Sequence, residues 1–292
     1  MLIEEARAKV NLSLRVVGRR VDGYHDLESL VAFADCADRL SLTPGSSLDL
    51  KTIGPLAGAC GEAGDNLVLK AARLLGERVP DLKVGDFTLD KVLPVAAGIG
   101  GGSADAAAAL RLLAQTNGLS IEDSRLIEVA QLTGADVPVC LASRACVVTG
   151  VGETLLPVSL PKIPCVLVNP RIPVATKDVF GALGLRNGEL LVGASDILQA
   201  TAWPERGASV EDWVEVLAAN SNDLEAPATR IQPVIGEVLS ALSATNGAWL
   251  ARMSGSGATC FAIFENTAEA QRAAQKIRLD HPQWWVHAGV LS

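Results

Sequence analysis

The sequence predicts an α+β protein in two domains, and three observations predict it. Apolar and polar residues alternate with period two near the amino terminus, capped helical patterns interleave with short apolar runs, and a proline-spaced stretch interrupts the middle of the chain. At 292 residues the chain is long for a single core. Pro157, Pro161 and Pro164 place the boundary near residue 155, giving domains 1–155 and 156–292.

Each element has its own warrant. In residues 8–17, Val10, Leu12, Leu14 and Val16 point one way and Lys9, Asn11, Ser13 and Arg15 the other, as in a strand. Lys9 and Asn11 are neighbours on the polar face, so either both enter a cleft or both meet solvent. Gly18 and Gly23 punctuate a polar connection that carries Asp22, Tyr24 and His25. Asp65 and Asn66 can cap a helix in which Leu67, Ala71, Leu74 and Leu75 recur at helical spacing to about Val79. A strand follows near Asp86–Val92. Next comes Pro94-Val95-Ala96-Ala97-Gly98-Ile99-Gly100-Gly101-Gly102-Ser103, which runs through Ala104 into an alanine-rich helix. That helix should end near Asn117, with Gly118 as a left-handed cap.

Ser120 and Asp123 open another helix, which Gly134 closes. After the turn Gly134-Ala135-Asp136-Val137-Pro138, the apolar runs Val139–Val148 and Thr154–Val158 read as strands. Past the boundary we expect a strand at Cys165–Asn169 and helices near Val210–Ala219 and Ile231–Ala244. A glycine-broken segment Met253–Gly257, an apolar run Cys260–Phe264, a helix from Thr267 and a last strand near Trp285 complete the reading. No internal repeat or low-complexity tail stands out.

Composition narrows the function. Hydrophobic residues make up 49% and charged residues 20%, enough apolar material for a buried core. The formal charge of −8 argues against a general grip on nucleic acid or an anionic membrane, and 4% aromatics argues against a platform that stacks single-stranded bases. The six cysteines form no CxxC pair and no Cys/His metal spacing, so we expect free thiols and no structural zinc. With no basic-then-apolar leader pattern and no long charge-free apolar run, the expected location is the cytoplasm.

The glycine loop is the most chemically suggestive segment. Without Cβ atoms an anion can touch main-chain N–H groups, and the following helix adds the partial positive charge of its first turn. Neither the G-x-G-x-x-G dinucleotide pattern nor the G-K-[ST] of a Walker loop is met. A tight turn packed without a ligand is the alternative. Asp136 could accept a proton from an attacking hydroxyl, or simply cap its turn. Tyr24 and His25 offer an aromatic face and a ring nitrogen to a pyrimidine. Ser254-Gly255-Ser256-Gly257 offers small residues and hydroxyls to a ligand, or close backbone packing.

Residues 94–103 resemble the phosphate-binding motif of the galactokinase, homoserine kinase, mevalonate kinase and phosphomevalonate kinase (GHMP) superfamily. Ala8–Leu12, Asp22–His25, Gly134–Pro138 and Met253–Phe261 are similar specifically to the 4-diphosphocytidyl-2-C-methyl-D-erythritol kinases, in that family's order and over most of the chain. The resemblance implies a first domain like the second domain of ribosomal protein S5 and a ferredoxin-like second domain. It implies ATP with Mg²⁺ as cofactors and phosphorylation of the 2-hydroxyl of the cytidylylated methylerythritol, in the non-mevalonate route to isoprenoids. It makes Lys9 and Asp136 the catalytic pair and Pro94 to Ala104 the ATP loop. It places Asn11, Tyr24, His25, Phe180 and Ser254 to Gly257 on the substrate. Phe180 enters through Thr176-x-x-x-Phe180, with an ordinary core phenylalanine as its alternative. The chain departs from many relatives at Ala104, where a second hydroxyl residue usually follows Ser103, and no residue is assigned to the metal. The rival readings are a homoserine- or mevalonate-type kinase and a silent nucleotide-binding regulator. The partner is a small molecule, and the chain is a monomer or a homodimer.

Overall fold

The computed structural model describes residues 1–191 and 201–292, with Ala63 by its backbone alone. They divide into two units built from non-contiguous segments: Met1–Lys9, Cys36–Val95 and Gly100–Ser143 in the first, Val10–Asp35, Ala96–Ile99 and the described part of Arg144–Ser292 in the second.

In the first unit, β5 (Val84–Asp90) lies between two strands. It runs antiparallel to the second half of β3 (His25–Gly45), Leu40 opposite Leu89 and Leu42 opposite Phe87, and parallel to β4 (Asp49–Ile53). The alternation is the sheet's own: Phe87 and Leu89 are buried while Asp86 and Thr88 face away. Helices α1 (Leu67–Gly76), α2 (Gly101–Asn117), α3 (Ser124–Thr133) and α4 (Val137–Ala142) pack on one another. Ala106, Ala107, Ala108 and Ala109 of α2 are wholly buried, their small side chains letting neighbouring helices approach closely. The caps fall where the sequence puts them. Asn66 accepts the Val68 N–H at 2.9 Å, Asp123 caps α3, and Gly118 takes a φ of +65° after α2.

In the second unit, β8 (Ile163–Asn169) is buried along its whole length between β11 (Trp285–Leu291) and β10 (Cys260–Phe264), with β9 (Ala248–Met253) beyond β10. All three pairings are antiparallel. With α8 (Val234–Ser243) before β9 and α9 (Thr267–Asp280) between β10 and β11, this is the split β-α-β-β-α-β arrangement expected of a ferredoxin-like domain. Ile235, Val238, Leu242, Ala274 and Ile277 of the two helices meet Val166, Val168, Ala262 and Phe264 in its core. The first half of β3 pairs with β2 (Arg15–Arg19) and β6 (Cys146–Gly150), and β6 pairs with β7 (Thr154–Pro157).

Several local expectations need correction. The single strand expected over 8–17 is two, β1 (Leu2–Asn11) and β2, because Leu12 and Leu14 donate their N–H groups to Leu30 and Ser221 instead. Its polar face is not solvated: Lys9, Asn11 and Ser13 are about as buried as the apolar residues between them. Val139–Ala142 is the end of helix α4 rather than strand, since Pro138 suits a first helical turn and short apolar runs do not distinguish the two states. His25 opens β3 rather than lying in a loop. The helices expected near Val210–Ala219 and Ile231–Ala244 are α6 (Val210–Ala218) and α8, which begins only after Pro233, whereas α7 (Glu225–Ile231) between them is not anticipated by the sequence. β3, β4, β9 and α5 (Thr176–Gly181) have no counterpart in the sequence reading.

Candidate active site

In the first unit, β1 delivers Lys9 and the α3–α4 turn delivers Asp136. The Lys9 ammonium lies 3.0 Å from Asp136 Oδ2, with the lysine 5% exposed and the aspartate 47% exposed. Asp136 is the N-cap residue of α4, yet its side chain makes no capping hydrogen bond. The turn-capping alternative is therefore not what its carboxylate does: it faces the lysine and remains open enough to meet a hydroxyl. Gly100, with φ +62°, lies against the same lysine; a Cβ there would stand 3.2 Å from Lys9 Cε. The loop, the cation and the acid thus adjoin one another.

The glycines of the loop serve two different ends. At Gly98, with φ +75°, a Cβ would collide with the Ser254 carbonyl and the Gly257 backbone, so packing alone demands glycine there. At Gly102, which is exposed, the nearest atom would be Leu67 Cδ1 at an ordinary 3.7 Å. Packing does not demand glycine at that position, which leaves its main chain open to approach. Ala104 makes the first helical bond, to the Gly100 carbonyl at 2.8 Å, so the N–H groups of Gly101, Gly102 and Ser103 precede the intrahelical ladder. No acidic residue occupies that first turn. Three amides at the positive end of a helix of five turns suit a polyphosphate. Ala104 itself is buried.

In the second unit, the other half of the loop is fixed by the late segment. Ser254, wholly buried, accepts the Asn11 N–H at 3.0 Å and donates to the Gly98 carbonyl at 2.9 Å, while the Thr259 N–H donates to the Ala97 carbonyl. Ser256 shares a hydrogen bond with Thr176 at 2.9 Å. Asn222 donates to the Met253 and Gly255 carbonyls, and Asn169 to the Thr259 hydroxyl. These two asparagines escaped the sequence reading, since an isolated Asn carries no signal of which distant backbone it will hold.

Two of the three aromatic residues meet: the His25 and Phe180 rings lie 4.6 Å apart at 32°. Phe180 also packs on the hydrophobic core, as the core reading has it. Burial, and then the Arg19 charge, hold the His25 imidazole below its ordinary pKa of 6.5. Tyr24 is 60% exposed at the hairpin tip. Arg20 fixes that hairpin through Asp26 at 2.6 Å and Glu153 at 3.1 Å.

Comparison with known proteins bears directly on this arrangement. Residues 66–144 match the family described as GHMP kinases N terminal domain, and residues 205–282 match GHMP kinases C terminal. A 4-diphosphocytidyl-2-C-methyl-D-erythritol kinase from Bradyrhizobium diazoefficiens is 74% identical over 291 residues, spanning 100% of this chain and 98% of the relative. The chain belongs to the 4-diphosphocytidyl-2-C-methyl-D-erythritol kinase family. A second member of the family, from Nitrobacter hamburgensis, is 72% identical across 100% of this chain and 96% of its own. The crystal structure of a 4-(cytidine 5'-diphospho)-2C-methyl-D-erythritol kinase superposes with a TM-score of 0.76 at 36% identity, covering 100% of this chain and 99% of that one. A homoserine kinase from Cytophaga hutchinsonii, 18% identical with a TM-score of 0.68 and covering 99% and 93% of the two chains, shares the fold. This chain is a GHMP kinase, and no helix among its described residues is long and apolar enough to cross a membrane.

Proposed function

We propose that the kinase transfers the γ-phosphoryl group of ATP to the 2-hydroxyl of 4-diphosphocytidyl-2-C-methyl-D-erythritol, a step of the non-mevalonate route to isopentenyl diphosphate. The observation that carries the chemistry is Asp136: a half-open carboxylate, paired with a buried lysine and spent on no cap. It accepts the hydroxyl proton as the substrate oxygen bonds to the γ-phosphorus and the bond to the bridging β–γ oxygen breaks, releasing ADP. Lys9, paired with Asp136, orients its carboxylate and stabilises charge on the moving phosphoryl group. The Pro94–Ala104 segment receives the triphosphate, with the Gly101–Ser103 amides as donors.

Substrate recognition falls to the second unit. Tyr24 and Phe180 stack on cytosine, the neutral His25 ring meets its edge, and Asn11 reaches the sugar-alcohol end. Ser254 to Gly257 shape the surface bordering the substrate's phosphates; the Ser254 hydroxyl acts there through the loop it ties rather than by contact. Magnesium would be carried by the nucleotide and held mainly by its phosphates, no side chain of the loop being assigned to it. Bound there, the ion would neutralise charge developing on the bridging oxygen. We further propose the division 1–155 and 156–292 as the two inherited domains, a cytoplasmic location, and a monomer or homodimer.

The test is incubation of the pure protein with ATP, magnesium and the cytidylylated methylerythritol, followed by phosphorus NMR of the product. A phosphate monoester on the tertiary alcohol, formed in step with ADP, is expected. Equal turnover of homoserine or mevalonate would overturn the assignment.

A further inference from the structure

Three ionisable side chains are buried together at the start of α2, and the reaction as written uses none of them. The Lys91 ammonium lies 2.6 Å from Asp38 Oδ2 and 2.6 Å from Asp105 Oδ2. Lys91, Asp38 and Asp105 are 3%, 0% and 3% exposed. Asp38 is fully served, since its Oδ1 also accepts the Val92 and Leu93 N–H groups at 2.6 and 2.9 Å. Asp105 is not: its Oδ1 is buried without a hydrogen-bond partner. Two carboxylates share one ammonium, so with both ionised the cluster is a net negative charge withheld from water.

This charge would sit against the phosphate loop. Lys91 Nζ is 3.4 Å from where a Cβ on Gly101 would stand, and Asp38 Oδ2 is 4.0 Å from it. Gly101 is the first residue of α2 and Asp105 lies one turn further along. Burial pushes the Asp105 carboxyl up to about 7, against the pull of Lys91 and with the help of the Asp38 charge. Burial lowers the Lys91 ammonium, but Asp105 and Asp38 outweigh it and hold it above its usual value. The other titratable groups coupled to the cluster are Cys60 and, from α4, Cys140, both thiols raised chiefly by burial; Lys9, Asp136 and Arg111 act on Cys140 in turn. From α1 and α3 the buried residues are apolar apart from Thr133, and Lys70 is committed to the Thr133 carbonyl.

We propose that Asp105 is a positioning residue for the nucleotide: protonated, it leaves the Lys91–Asp38 pair neutral beside the amides of Gly101 to Ser103, whereas ionised it sets a negative charge beside them, so that ATP binding takes up a proton at Asp105. The inference rests on reading this loop as the ATP site. By linkage, the same proton makes nucleotide affinity fall as pH rises.

ATP binding to the full chain, measured calorimetrically with saturating magnesium in buffers of different ionisation heat, tests it. Between about pH 6 and about pH 8.5 the wild-type affinity should weaken about 3- to 10-fold more than that of Asp105→Asn, an uncharged isostere. Near neutral pH the wild type should take up a fraction of a proton that the variant does not. Equal uptake by both, or none by the wild type, overturns the proposal. Should Asp105→Asn fail to fold, Cys60→Ala decides: it should keep the uptake, and its loss would place the proton on the thiol. Absence of ATP binding at every pH is a different result, which defeats the nucleotide reading itself.

Discussion

The Lys9 ammonium stands 3.0 Å from Asp136 Oδ2, the lysine sealed in the fold and the carboxylate half open. Such a pair orients the carboxylate while leaving an oxygen lone pair to meet a hydroxyl. Asp136→Asn preserves shape and removes the basic oxygen. Turnover is expected to fall about 10²- to 10⁴-fold with the thermal midpoint nearly unchanged. A coupled ADP assay beside a circular-dichroism melt checks both, and near-normal ADP release would remove Asp136 from its role.

Tyr24 is mostly exposed, so its replacement costs the fold little. Tyr24→Ala should raise the KM for the cytidylylated substrate about 10-fold or more, in line with the loss of one stacking ring, and leave the KM for ATP close to its original value. Equal rises in both would contradict a cytosine-stacking role.

His25 supplies a pH dependence with a defined sign. Its folded pKa lies below the ordinary 6.5, so the folded chain binds its proton less readily than the unfolded one. The neutral form dominates above 6.5, and the stability it contributes is lost as pH falls from 6.5 through the folded value. A cytosine edge that needs the ring's acceptor nitrogen is lost in the same window. The substrate KM should therefore climb on acidification in the wild type and stay flatter in His25→Ala, as steady-state rates across pH would show.

Ser254 and Ser256 are neighbours with unequal duties. Ser254→Ala strands the Asn11 N–H and the Gly98 carbonyl in a buried layer, a loss of about 1–3 kcal/mol in urea unfolding. Ser256→Ala removes only the hydroxyl contact with Thr176, a loss of about 0.5–1.5 kcal/mol. The reverse order would mean that Ser254 is not the tie between β1 and the glycine loop.

Much of the architecture was legible because its signals are local. Asn66, Asp123 and Gly118 mark helix ends through bonds and dihedrals made within a few residues, so α1, α2 and α3 begin and stop nearly where the sequence puts them. The short apolar run after Pro138 misled for the same reason: a buried strand and a buried helix turn need the same residues, and only packing chooses. β3 was illegible because Asp35 and Asp38 break its apolar pattern, and Asp38 is tolerated there only by Lys91 and two backbone donors.

The candidate site divides along the same line. By itself the sequence determined which chemistry is present: glycines before an alanine helix, a lysine and an asparagine on one strand, an aspartate after a helix exit, a tyrosine beside a histidine. Only the tertiary structure decided what each group does. It turned Asp136 from a possible cap toward Lys9, set Phe180 on His25, gave Ser254 to the Gly98 carbonyl and closed Asp105 in with Asp38 and Lys91. The physical reason is range: backbone dihedrals and caps are settled by adjacent residues, whereas ion pairing and burial depend on which distant segments folding brings together and on the water it removes.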